Sequence, residues 1–333
     1  MQSINKSERR LCFRQGNLAG LAVLIMPLLS YVGGKVLELL RQQGLLNWLV
    51  VYQKGDELIP YDANLYTLFS IGYYFLVLSL SILFGWLLMR KSEGSQTLAT
   101  VAPVKTGVFF GYLAVGMGVF AFGNFVSFFV VGVASTVGLT PEPTVESMNG
   151  EGLNLLLNLF SLAVLPAVLE ELLFRGVVVG LLRPLGDRVA LVISALTFAL
   201  CHATLTQIPF AFMLSLMFGY IYIRTGNILL VMLLHFCNNA MSVMVSFARF
   251  HWTVEGYLGL QYLLFGGMTV LGAIAAAMLA YRRKDRLSPL GDKRGGLLFA
   301  EACPRVLLSP MMIVSILWFV WKTLESLNFG IGG

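Results

Sequence analysis

Two adjacent glutamates and an arginine interrupt a long apolar stretch, Pro166-Ala-Val-Leu-Glu170-Glu171-Leu-Leu-Phe-Arg175-Gly176. A charged side chain at membrane depth costs about 2.5–3.5 kcal/mol on insertion scales, so three in one span imply a use for them. Two histidines stand in later apolar runs, Phe198-Ala-Leu-Cys201-His202 and His235-Phe-Cys-Asn238-Asn239. Carboxylates and imidazoles are the groups that move protons in catalysis. An amide or imidazole aimed at developing negative charge stabilises an oxyanion, one donor being worth about 2.7–4 kcal/mol. Hydrolysis of a peptide carbonyl by water needs both parts.

The 333 residues are 57% hydrophobic and 12% charged, with a mean hydropathy of +0.80. Soluble domains carry roughly 25% charged residues; this chain cannot cover a water-facing surface and reads as an integral membrane protein. The net charge of +6 resides in short loops between apolar runs and points to membrane orientation, not to nucleic acid. Cys12, Cys201, Cys237 and Cys303 have no paired spacing, so no disulfide framework is expected. The basic N-terminus (Lys6, Arg9, Arg10, Arg14) precedes a long apolar run with no A-x-A site, which reads as a first spanning helix and not as a cleaved leader.

The expected fold is an all-α, polytopic transmembrane bundle of about eight to nine spanning helices. Candidate spans are 17–39, 66–89, 107–138, 153–182, 189–204, 208–223, 228–248, 257–281 and 306–328, since a crossing takes about 20 apolar residues. With a cytoplasmic N-terminus, most of the 23 Lys and Arg fall in cytoplasmic loops, and the acidic loop 139–152 lies outside. Gly16/Gly20 and Gly107/Gly111 have spacing that permits close helix approach.

At 1.5 Å of rise per residue, measured from the cytoplasmic ends, Glu170 lies about 20 Å deep, Glu171 about 18 Å, Arg175 about 12 Å, His202 about 21 Å, His235 about 12 Å and Asn239 about 18 Å. Three helices thus place polar groups in one slab. Glu171 and Arg175 share a helix face at i, i+4, as do His235 and Asn239. Glu170 points about 100° away from Glu171, so the two carboxylates are free to do different work. Pro166, one turn ahead, removes a helix hydrogen bond and opens the backbone there.

The ordered set Glu170-Glu171-x-x-x-Arg175, Phe198-x-x-x-His202 and His235-x-x-x-Asn239 resembles the CPBP family of intramembrane proteases, which includes type II CAAX prenyl endopeptidases. Tyr222-Ile-Arg224-Thr-Gly226-Asn-Ile ahead of the last motif is similar too. The resemblance implies an α-helical membrane protease. Glu170 would be the general base with His202, His235 and Asn239 would hold the oxyanion, and Glu171 paired with Arg175 would orient its helix. It divides one membrane domain into N-terminal helices of unassigned role (1–150), a catalytic core (151–248) and C-terminal helices (249–333). It also implies a membrane-associated protein or peptide substrate, lipidated or not, and a multi-pass place in the cell membrane, here read as a bacterial plasma membrane.

Each residue has a plainer use. The glutamates could be counter-charges for Arg175, a lone histidine often bonds between packed helices, and Asn238 or Asn239 could do the same. Glu170, His202 and His235 could also form a two-His, one-carboxylate zinc set, although H-E-x-x-H is absent; the expected state has no cofactor. A non-catalytic scaffold that binds a partner, of the immunity type, and a proton-coupled transporter are the rival functions.

Overall fold

The computed structural model describes residues 5–54, 57–60, 62–92, 98–141, 150–282, 290 and 298–329. Most of the acidic loop 139–152 and of the basic loop 282–305 lies outside these residues. Ten helices follow in order: α1 Lys6–Gln42, α2 Ala63–Arg90, α3 Thr106–Thr136, α4 Gly152–Leu185, α5 Asp187–Cys201, α6 Ile208–Thr225, α7 Ile228–Ala248, α8 Val254–Arg282, α9 Phe299–Leu307 and α10 Pro310–Glu325. Two short antiparallel pairs, Val50–Lys54 with Glu57–Pro60 and Leu139–Pro141 with Leu327–Phe329, lie at the ends of helices.

Among the described residues seven helices are long and apolar enough to cross a membrane, and eight if α9 and α10 count as one span broken by 68° at Leu308 and Ser309. The fifth expected span, 189–204, is instead a helix of 15 residues, or about 22 Å of rise, short of a full crossing. It stops at His202, and Ala203 takes a left-handed backbone with φ 51°, a conformation that costs a residue with a Cβ about 1–2 kcal/mol. The Ser326 hydroxyl holds that turn, donating to the Ala203 carbonyl at 2.9 Å.

The outer surface is apolar, as lipid requires: Phe129, Val254 and Leu263 are about 70% exposed or more (72%, 70% and 73%). Small residues set the helix crossings. A Cβ on Gly118 of α3 would lie 2.7 Å from the Gly272 Cα of α8, so the two backbones touch there. Gly16 and Gly20 seat α1 against Ser309 and Met312 of the C-terminal bend, whereas Gly107 faces open space.

α4 is the central helix, packed on α1, α2, α5 and α7. It is not uniform. Leu159–Val164 and Leu172–Val178 are π-helical and flank the α-helical turn Leu165–Glu171. Such widened turns recur where a helix must re-aim side chains at a functional site. Pro166 supplies a local cause: it lacks an N–H and crowds the carbonyl four residues back, that of Leu162. The Asn239 amide of α7 donates to this carbonyl at 2.9 Å.

The reversal from α6 to α7 is tight. Gly226 ends α6 with φ +64°, and the Asn227 side chain caps α7 by accepting from the Leu230 N–H at 2.8 Å. Asn227 also donates to the Ala102 carbonyl. This turn sets α6 and α7 side by side beneath α4.

Gly118→Leu is expected to force α3 and α8 apart and to lower the thermal midpoint of the detergent-solubilised protein, with about 1–3 kcal/mol of overpacking. Gly132→Leu, where a side chain meets nothing within 4 Å, is the control and leaves the midpoint in place. Equal midpoints for both variants would contradict the crossing.

Candidate active site

Arg175 is the largest fully buried side chain, 1% exposed. A guanidinium in such a place must be paired and hydrogen-bonded on several sides. Its Nη1 donates to Glu171 Oε1 at 3.1 Å. Its Nη2 donates to Ser215 of α6, to Oγ at 2.8 Å and to the carbonyl oxygen at 3.2 Å. The ring centroids of Phe198 and Phe218 lie 4.8 and 5.4 Å from its Cζ, within cation–π range. One cation thus gathers α4, α5 and α6.

Glu171 extends this cluster to α7. Its Oε1 also meets His235 Nδ1 at 2.8 Å. Glu171 Oε1 already accepts from Arg175 Nη1, and with the oxygen as acceptor Nδ1 is the donor. His235 Nε2 is then the nitrogen left for other work. It lies 3.9 Å from Glu170 Oε2, too far for a direct hydrogen bond.

The two neighbouring carboxylates have separate environments, as their angular offset on the helix predicts. Glu171 has no exposed side-chain area, whereas Glu170 retains 18%. Glu170 faces a cleft of about 610 Å³. His202, His235 and Asn239 line the same cleft, as do Phe198 and Phe218. His202 Nδ1 is 2.9 Å from the Phe198 carbonyl. A carbonyl only accepts, so Nδ1 is the protonated nitrogen and Nε2 is the free one.

All six candidate residues therefore converge, though in two layers. Glu170, His202, His235 and Asn239 reach the cleft, while Glu171 and Arg175 lie behind it and hold His235. Asn239 has one amide hydrogen engaged by the Leu162 carbonyl, which leaves one for the cleft. Its neighbour Asn238 is buried, and its side-chain amide has no hydrogen-bond partner among the described residues. Glu170, His202 and His235, the residues a zinc ion would use, line one cleft, and among the described residues no group of three His, Cys, Asp or Glu has the grouping that holds a metal ion.

Sequence reasoning missed Ser215, Phe218 and Tyr74. The Tyr74 hydroxyl of α2 donates to Glu170 Oε1 at 2.5 Å. Ser215 left a weak signal, a single hydroxyl amid an apolar run. Phe218 left none, because a phenylalanine in an apolar helix is ordinary.

Residues 152–241 match the family model described as type II CAAX prenyl endopeptidase, Rce1-like. This segment is Rce1-like. No curated protein and no solved structure matches the chain. The Rce1-like segment contains all six candidate residues, whereas the α2 wall of the cleft, with Tyr74, comes from outside it. With its seven apolar helices, the chain is a multi-pass membrane protein.

Arg175→Met and Glu171→Gln each leave a buried partner uncompensated, which typically costs about 3–5 kcal/mol. Both single variants are expected to lose folded protein in a thermal-shift assay, and the double variant to recover part of the loss. Additive losses in the double variant would show that the pair is not coupled.

Proposed function

We propose that the chain is an intramembrane endopeptidase that hydrolyses a peptide bond of a membrane-associated protein or peptide, in the manner of CAAX proteases. One observation carries this reading: an accessible carboxylate, two imidazoles and an amide, from α4, α7 and the end of α5, line one cleft within the Rce1-like segment.

Each group has a part that its geometry suits. Glu170 Oε2 takes a proton from water as the water oxygen bonds to the scissile carbonyl carbon. The oxyanion that forms is met by the free Asn239 N–H and by His235, which enters the step with Nε2 carrying a proton taken from solvent water and with the Glu171 carboxylate on its Nδ1. The intermediate collapses as the C–N bond breaks, and the proton held by Glu170 passes to the departing amine. His202, with Nδ1 fixed on Phe198, offers Nε2 to orient the water or relay its proton. Glu171 and Arg175 act through His235 and touch no reacting atom.

The test uses a farnesylated CAAX peptide carrying a fluorophore and quencher, with protein in liposomes. Glu170→Gln and His202→Ala are each expected to lower kcat/KM by about 10²-fold or more with an unchanged thermal midpoint. A membrane proteome compared with and without the gene should show an accumulated precursor, restored by the wild type and not by Glu170→Gln. Full cleavage by Glu170→Gln would overturn the role given to Glu170, and full rescue by Glu170→Gln without cleavage would favour a scaffold that binds its partner without cutting it.

A further inference from the structure

The first described helices pack around the Rce1-like segment, and one of them enters its site. α2 presents Tyr66, Ser70 and Tyr74 at four-residue spacing, and these form one wall of the cleft with Thr67 and Ile71. The uppermost contact is the short Tyr74–Glu170 hydrogen bond of 2.5 Å. A hydroxyl on a carboxylate at this separation is a charge-assisted bond, roughly twice as strong as a neutral one. A carboxylate accepts only, so the phenol is the donor.

The bond distinguishes the two oxygens of Glu170. Oε1 is occupied by Tyr74, whereas Oε2 lies towards His235 Nε2 at 3.9 Å, a gap that one water can bridge. A glutamate has three rotatable side-chain torsions, and a carboxylate in a cleft this size has room to turn. Held at one oxygen, it presents the other in a fixed direction. We propose that Tyr74 is a positioning residue for Glu170, fixing which carboxylate oxygen receives the proton of the attacking water. The assignment rests on the proteolytic reading above and extends the working site beyond the Rce1-like segment into α2.

Its neighbour supplies the control. Tyr73 also donates to a partner on another helix, the Ser30 carbonyl at 2.7 Å, but does not line the cleft. Tyr73→Phe removes an interhelical bond of similar length with no consequence for Glu170.

Two readouts on the full-length protein in liposomes test the proposal. The first is kinetic, on the farnesylated CAAX peptide. Tyr74→Phe is expected to lower kcat roughly 10- to 100-fold, the worth of one hydrogen bond to a charged group, with KM within about twofold. Tyr73→Phe should keep kcat. The second needs no substrate. Labelling of Glu170 by dicyclohexylcarbodiimide, read by mass spectrometry of its peptide, is expected to rise several-fold in Tyr74→Phe and to stay at the wild-type level in Tyr73→Phe. Equal labelling in all three proteins, or an unchanged kcat in Tyr74→Phe, would overturn the assignment. If the wild type does not cleave the peptide, the proteolytic reading falls instead, and if Glu170→Gln cleaves as well as the wild type, the role of Glu170 as base falls; in both cases the labelling still reports on the contact.

Discussion

The buried ion pair between Arg175 and Glu171 is the constraint from which the remaining arrangement follows. A guanidinium sealed from both water and lipid is tolerable only when it is paired and hydrogen-bonded, and Arg175 is bonded at Nη1 and Nη2, while its Nε has no partner among the described residues. Here Glu171 answers it from its own helix, Ser215 from α6, and the faces of Phe198 and Phe218 from α5 and α6. Each of these groups has to be where it is, so the rotation of three helices about their axes is fixed by one cation. His235 then joins through Glu171, which adds the fourth helix. Through these bonds the pair constrains how α4, α6 and α7 sit against one another, and so holds His235 at the cleft.

The same constraint separates two adjacent carboxylates. With Glu171 turned inward, Glu170 must point about 100° away, and this direction is the cleft. The irregular backbone of α4 serves the same end. Pro166 weakens the helix one turn ahead of Glu170, the flanking turns widen, and the freed Leu162 carbonyl takes a donor from Asn239. Asn239 is thereby tied to α4 and held at the cleft by one bond. A defect in one helix thus becomes the attachment point for another.

Much of this was legible in the chain. Charge in apolar runs marked Glu170, Glu171, Arg175, His202 and His235, and counting rise per residue placed them in one slab; of these Glu170, His202 and His235 line one cleft, with Glu171 and Arg175 bonded behind His235. The i, i+4 spacing of Glu171 and Arg175 was a sufficient guide to their pairing. What could not be read has a physical reason in each case. That His235 binds Glu171 depends on how α7 is rotated against α4, which helical spacing within one element does not contain. Tyr74 is one of several tyrosines in α2, and nothing local separates it from Tyr73, whose bond goes to α1. The run 189–204 is as apolar as a spanning helix, and its early stop at His202 rests on a left-handed Ala203 and a long-range bond from Ser326. The run 306–328 reads as one span, whereas the chain bends by 68° between Leu307 and Pro310, where Gly16 and Gly20 bring α1 close to Ser309 and Met312.

The account depends on Glu170 meeting water inside the membrane-spanning bundle. An experimental structure in lipid nanodiscs, at a resolution that shows ordered solvent, examines this most directly. The expected result is a water within hydrogen-bond reach of Glu170 Oε2 and of Nε2 on His235 or His202, with Tyr74 on Oε1. A cleft filled by an acyl chain, with Glu170 dry and its carboxylate turned away from both imidazoles, would contradict it.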